Sequence, residues 1–152
     1  SRNTCLTEIV GFLEGKTPDH RGRIHAILLQ QTDHQAETNH DYTQWLFPLN
    51  EPSRSVNGVP VLAELEIDEI RESSLAQDNL IKSARWFLGF LERNDHWITK
   101  YNHNHLRITR VIRSHWVGSC DVTVARYTSP VGKNISRIDP KFQEQNISYT
   151  IR

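Results

Sequence analysis

The chain has 152 residues, of which 37% are hydrophobic and 24% are charged; these values are typical of one soluble globular domain and exclude a disordered or fibrous protein. Its 18 basic and 18 acidic residues cancel, so the net charge indicates neither a polyanion nor a membrane surface as partner. No apolar run approaches the roughly 20 residues that cross a bilayer, so we expect no membrane span.

The first predicted helix lies in residues 4–15, "TCLTEIVGFLEG". Its aliphatic residues recur at helical spacing and form one stripe, which is typical of an amphipathic helix that packs on a core. Gly15 is placed to end this helix. The "KTPDHRG" that follows contains Pro18 and Gly22 and therefore indicates a turn.

Two further helices are predicted after this turn. Residues 23–31, "RIHAILLQQ", offer Ile24, Ile27 and Leu28 to the core. The third helix occupies residues 33–48 and is closed by a proline, which cannot continue a helix. The run "HDYTQWLFP" at its end has apolar groups on several faces, so we interpret it as the central core helix. The alternative interpretation is that this run forms the floor of a binding site.

The second half of the chain is also predicted to be helical. Residues 48–62 contain three prolines and a glycine and indicate a loop. The segments 63–73, "AELEIDEIRES", and 75–93, "LAQDNLIKSARWFLGFLER", predict one broken helix or two consecutive helices. A last helix is predicted over 105–116, "HLRITRVIRSHW", and Gly118 marks its end.

These elements predict an all-α fold: one compact multi-helix domain of about six to seven helices with an irregular C-terminal tail. We place the domain at residues 1–128. The tail, residues 129–152, is expected to be docked or partly disordered, and its "ISYTIR" is compatible with a short strand.

Charge is unevenly distributed along the chain. No acidic residue occurs between positions 96 and 120, whereas residues 64–78 carry six acids and one arginine. On a helical wheel, Arg107 and Arg110 fall on one side with Arg113 beside them, so the 105–116 helix is expected to show a basic ridge. Such a ridge indicates phosphate or nucleic-acid binding. The alternatives are a solvated face and a contact with the chain's own acidic helix.

The patterns typical of catalysis and of metal binding are missing from the sequence. The letters "HNH" at 103–105 are too close together for the nuclease motif of that name. The histidines 96, 103, 105 and 115 and Cys120 lack the paired spacing of a closed zinc site. No nucleophile motif or phosphate-binding glycine loop occurs, and His40 and Asp41 are adjacent and do not face each other on a helix. We therefore expect no enzyme, no catalytic residue, no metal and no cofactor.

The N-terminal segment lacks the basic-then-apolar layout of a secretory signal, so a cytoplasmic protein is expected. In a reducing cytosol, Cys5 and Cys120 are expected to be free thiols. Cys5 lies on a predicted amphipathic helix, and Cys120 follows a helix end.

Two long blocks resemble the opioid growth factor receptor conserved-region family. "NHDYTQWLFPLNEPS", residues 39–53, resembles the family's His-Asp-Tyr-Ile-Gln-Trp-Leu-Phe-Pro run and its Glu-Pro-Ser element. "HNHLRITRVIRS", residues 103–114, is similar to a later family segment, and "GKTPDHRGR", 15–23, resembles the helix-to-helix turn of bacterial members. The resemblance covers about residues 8 to 126. Thr43 stands where the family usually has isoleucine.

The resemblance implies an all-helical binding module of the short bacterial type, whose animal relatives are nuclear-associated and bind enkephalin peptide. It thereby implies a peptide or protein partner, with nucleic acid as the alternative, and it leaves the native ligand and the oligomeric state undetermined. The two blocks supply the predicted ligand- or partner-binding residues, which are His40, Asp41, Tyr42, Gln44, Trp45, His103, His105, Arg107, Arg110 and Arg113.

Overall fold

The computed structural model describes residues 8–52, 60–118, 133–134 and 137–138. This part of the chain contains helices and no strand, which confirms the predicted all-α fold. The helices are α1 Glu8–Leu13, α2 His25–Leu28, α3 Asp33–Thr38, α4 Thr43–Leu46, α5 Glu64–Glu72, α6 Ser74–Arg93 and α7 Asn104–Val117. None of them is long and apolar enough to cross a membrane. The predictions for Cys5, Cys120, the 128/129 boundary and the C-terminal strand lie outside the described residues.

α6 is the central helix of the core. Its buried side chains recur at positions 76, 80, 84, 87 and 91, so one face is apolar along its whole length. α1 and α5 pack against it. Ser73 separates α5 from α6, and its hydroxyl accepts a hydrogen bond from the Ala76 backbone N–H at 3.1 Å. The prediction of two consecutive helices is therefore the correct one of the two alternatives.

The prediction of a single continuous helix over residues 33–48 is wrong. α3 ends at Thr38, Asn39 is extended with φ −79° and ψ 138°, and α4 begins only at Thr43. The helix does begin at Asp33, as predicted, and Thr32 and Gln35 form a capping box around its first turn. The run "HDYTQWLFP" thus contributes one helical turn to the core and not a long central helix.

The prediction for the second helix is partly wrong. Leu28 is buried, but Ile24 and Ile27 are 42% and 48% exposed, and His25 occupies the inward position instead. α2 has a single turn, so only side chains three apart share its inner face. His25 lies there because its Nε2 is 2.7 Å from the Ser83 hydroxyl, which satisfies the buried imidazole.

Part of the C-terminal segment packs on the domain. Ile138 is 1% exposed and belongs to the hydrophobic core together with side chains of α6 and α7. The core is therefore completed by a residue from beyond position 128, where the sequence placed the start of the tail.

Candidate functional site

The two sequence blocks meet at Arg107. Its Nη1 donates to the Ala36 carbonyl at 2.7 Å, and its Nη2 donates to the carbonyls of Asn39 at 2.5 Å and Glu37 at 3.3 Å. The guanidinium carbon also lies 5.3 Å from the centre of the Tyr42 ring, a cation–π distance. Arg107 is only 6% exposed. α7 is therefore fastened to the end of α3 by a buried charge.

Tyr42 is buried next to Arg107. Its hydroxyl donates to the Ala36 carbonyl at 2.5 Å, and its ring packs edge-on against Trp86 with the centroids 5.5 Å apart. Burial raises the pKa of the Tyr42 phenol well above its usual value. The side chain is fully buried, so its position argues for an architectural role and against direct contact with a ligand.

A cluster of polar side chains lies next to these buried residues, and we name it the Glu37 cluster: the ionisable Glu37, His40, His96 and His103, together with Asn104. One carboxylate oxygen of Glu37 contacts Nε2 of His96, and the other contacts Nε2 of His103. Asn104 donates its amide N–H groups to the same carboxylate at 3.2 and 3.3 Å. The ring of His40 meets that of His103 edge-on, with the centroids 5.8 Å apart.

The surroundings give Glu37 and His103 different charge states at neutral pH. Burial acts to raise the pKa of Glu37, but hydrogen bonds from His96 and Asn104 and the nearby imidazoles hold it below its usual value. Burial lowers the pKa of His103, and Arg107 and His40 add to this effect while Glu37 opposes it. The cluster therefore presents an ionised carboxylate beside a neutral imidazole.

The Glu37 cluster is accessible from solvent. The Glu37 side chain is 24% exposed, and those of His96 and His103 are 44% and 46% exposed. Two exposed apolar residues flank His103 in the chain: Tyr101 at 80% and Leu106 at 68%. Leu106 lies three residues after His103, in the first turn of α7. A polar centre with an apolar border is the general composition of a protein contact surface.

Asp41 is not brought into this cluster. It accepts a hydrogen bond from Arg21 at 2.7 Å and a second from Arg23 at 3.2 Å. Burial would raise the pKa of Asp41, but these two arginines lower it below its usual value. Asp41 therefore holds the turn between α1 and α2, where Gly22 adopts a φ of 77° that favours glycine.

Three other predicted site residues are buried. Gln44, Trp45 and His105 are 5%, 2% and 5% exposed. The Trp45 ring packs edge-on against Phe12, and His105 Nε2 lies 2.7 Å from the Trp97 carbonyl. These positions place all three in the packed interior and not on a surface that meets a partner.

The expected basic ridge is wrong for Arg107, and Arg110 is only partly exposed. Arg107 is buried as described, and Arg110 donates from Nε to the Phe47 carbonyl at 2.8 Å. Burial lowers the pKa of Arg110 to about 10. Arg113 is partly exposed and pairs with Glu51 at 3.2 Å. Most of this positive charge is used inside the protein, so the phosphate-binding alternative has no supporting surface among these residues.

Sequence reasoning missed Glu37 and considered His96 only as a zinc ligand. Glu37 has no motif, and the residues that it contacts lie 59 or more positions further along the chain. Only its position between the predicted site residues and the start of the third helix could have suggested it. Within the described ranges, no group of three or more His, Cys, Asp or Glu side chains is arranged to hold a metal ion.

A cavity of about 570 Å³ lies at the C-terminal end of α6. It is lined by residues 91–95, Trp97, Ile98 and the Lys133–Asn134 pair. The cavity shares no lining residue with the Glu37 cluster.

Comparison with known proteins identifies relatives for most of the described chain. The family model for the opioid growth factor receptor (OGFr) conserved region matches residues 18–133. The mouse opioid growth factor receptor is 31% identical over 96 residues, which cover 51% of this chain and 15% of the receptor. The human receptor is 31% identical over 111 residues, covering 60% of this chain and 16% of the receptor.

A third relative, the Xenopus tropicalis opioid growth factor receptor-like protein 1, is 31% identical over 96 residues, covering 51% of this chain and 18% of that protein. The chain therefore matches less than a fifth of the length of each of these three relatives. No solved structure matches the chain.

Proposed function

The chain belongs to the opioid growth factor receptor conserved-region family, and we propose that its domain is a non-enzymatic binding module whose contact surface is the Glu37 cluster. The partner is a peptide or protein segment that presents an ammonium group next to an apolar side chain. One observation carries the proposal. An ionised carboxylate is held at the surface between two imidazoles, next to the buried and hydrogen-bonded Arg107.

The charge of the cluster favours a cation. Glu37 is its only carboxylate, and the guanidinium of Arg107 lies beneath it with its N–H groups directed at backbone carbonyls. The positive charge therefore faces inward, and the accessible face presents the carboxylate and imidazole rings. An ammonium group, from an amino terminus or a lysine, is the complementary ligand for such a face.

The border of the cluster favours an apolar or aromatic neighbour in the partner. Tyr101 and Leu106 are exposed large hydrophobic side chains close to His103 in the chain, and their burial by a partner would be favourable. Of the residues predicted from the two blocks, His40 and His103 belong to the proposed surface, and Arg107 positions it. A surface whose side chains are already held in place loses less conformational entropy when a partner binds.

The names of the relatives agree with a partner of this class, since they are called receptors for opioid growth factor. An enkephalin peptide combines a free amino terminus with aromatic side chains, so it is a suitable probe for the surface. The cytoplasmic location expected from the sequence stays a proposal, and fractionation of cells that express the chain tests it.

Titration calorimetry with an enkephalin pentapeptide and with its N-acetylated form tests the proposal. We expect the free peptide to bind and acetylation to weaken binding by about tenfold or more, because it removes the ammonium charge. Glu37→Gln is expected to cause a similar loss.

The matched control is Asp33→Asn. Asp33 lies one turn earlier on α3 and pairs with Arg93 at 2.8 Å. This variant is expected to bind like the unaltered protein. Equal affinity for the free and acetylated peptides, or unchanged binding by Glu37→Gln, would contradict the proposal.

A further inference from the structure

We infer that partner binding at the Glu37 cluster is controlled by protons: the carboxylate is open to a cation at neutral pH and is neutralised by its own imidazoles when they are protonated. This inference rests on the proposed function. It adds the condition under which the partner is released.

The carboxylate geometry carries the inference. Each of the two oxygens of Glu37 already faces Nε2 of a different histidine, His96 on one side and His103 on the other. With neutral rings, the carboxylate keeps its full negative charge and attracts an external cation. With protonated rings, each oxygen is held in an ion pair within the protein, so an ammonium group has to compete with two imidazolium ions.

Protonation of His103 removes the negative charge that the cluster offers to a cation. While the His103 ring is neutral, it does not oppose the single negative charge of Glu37. Once that ring gains a proton, the two side chains together carry no net charge. A surface that attracts cations while the ring is neutral therefore attracts them less once the ring is protonated.

In the part of the chain that the structure describes, no other element contacting the cluster compensates for this change. From α7, Asn104 is neutral and Arg107 is positive. Tyr42, beneath Arg107, stays neutral because burial raises the pKa of its phenol. On α3, the charge of Asp33 is matched by that of Arg93. Within the described residues, Glu37 is thus the carboxylate on which the net charge of the cluster depends.

The state of His103 at neutral pH agrees with this mechanism. Burial, Arg107 and His40 lower the pKa of His103, so its ring is neutral at physiological pH and gains a proton at a lower pH than an ordinary imidazole. The pKa of Glu37 also lies below its usual value, which favours an ionised carboxylate while the His103 ring titrates.

Histidine titration by NMR in the protein without a ligand tests the first step. In Glu37→Gln, the titration midpoint of His103 is expected to fall by about one pH unit, since the carboxylate that stabilises its imidazolium ion is removed. Asp33→Asn is expected to leave this midpoint unchanged. Identical midpoints in the unaltered protein and in Glu37→Gln would overturn the inference.

The enkephalin pentapeptide tests the second step. Its affinity is expected to fall about tenfold or more between about pH 7 and about pH 5.5, where its own amino group stays protonated. In His96→Asn/His103→Asn this dependence should be largely lost; both side chains are half-exposed, and circular dichroism checks the fold. A pH-independent affinity of the unaltered protein would overturn the inference.

Failure of the proposed function is distinguishable from failure of the inference. If the pentapeptide binds at no pH, the proposed function is wrong. The NMR midpoints in the free protein still decide whether Glu37 is neutralised by its own histidines.

Discussion

Arg107 is an ionised side chain in the interior, and its acceptors make this position stable. A buried guanidinium is costly unless its N–H groups are satisfied. Here the acceptors are three backbone carbonyls at the end of α3 and the Asn104 side chain at 3.1 Å. The planar fork of arginine reaches several of these oxygens at once, which a lysine ammonium cannot do.

Arg107→Lys is therefore expected to lower the free energy of unfolding by about 2–4 kcal/mol, because several buried carbonyls lose their donor while a charge stays buried. Urea unfolding followed by circular dichroism measures this loss. Arg85→Lys, at an exposed position of α6, is the matched control and should change stability little. A loss as small as that of the control would show that the carbonyl contacts do not stabilise the domain.

At the scale of the elements, the break between α3 and α4 is held by side chains and not by a helix-breaking residue. Residues 39–42 contain neither proline nor glycine. The carbonyl of Ala36 accepts from both the Tyr42 hydroxyl and Arg107. Carbonyls at a helix end need such partners, and here they come from outside the helix. The break thus leaves Glu37 and His40 near the N-terminus of α7.

Tyr42→Phe is expected to destabilise the domain by about 1 kcal/mol or somewhat more, because the hydroxyl that binds the Ala36 carbonyl is removed without changing the ring. Thermal unfolding measures the change. Tyr101→Phe, at a residue that is 80% exposed, removes the same group from a solvated ring and should have almost no effect on stability. Equal melting temperatures for Tyr42→Phe and the unaltered protein would argue against this hydrogen bond as the cause of the break.

At the scale of the whole molecule, the fold depends on keeping buried histidines neutral. His25 and His115 are 3% and 1% exposed, and burial lowers the pKa of both rings, that of His25 to about 4. The pKa of the His103 ring is lowered as well, chiefly by its own burial. These rings come from α2, from α7 and from the loop before it, so protonation opposes folding at several separate contacts.

Stability is therefore expected to fall in mild acid. Each of these groups has a folded pKa below its unfolded value of 6.5, so its contribution is complete above that pH and is lost as the pH falls towards the folded value. His25 alone accounts for about 3 kcal/mol, since one pKa unit corresponds to about 1.4 kcal/mol. Urea unfolding at a series of pH values measures this, and His25→Gln should flatten the curve. A flat curve for the unaltered protein between about pH 7 and 5 would refute the expectation.

The sequence by itself determined the helical class, most of the element positions and the family. Periodic apolar residues locate α1, α5, α6 and α7 because a helix repeats its inner face every three to four residues, and this information is local. The turn glycines Gly15 and Gly22 indeed adopt positive φ values of 78° and 77°. The two long blocks identified the family, since their order of residues is specific whether they form a site or a core.

Only the tertiary structure decided which polar residues form a surface. A helical wheel places Arg107 and Arg110 opposite the aliphatic face, but it does not show that carbonyls of Ala36, Asn39 and Phe47 lie there to receive them. Glu37 meets His96 and Asn104 across 59 and 67 positions of the chain, and no local pattern records such a contact. The site depends on how distant helices pack, which local periodicity does not contain.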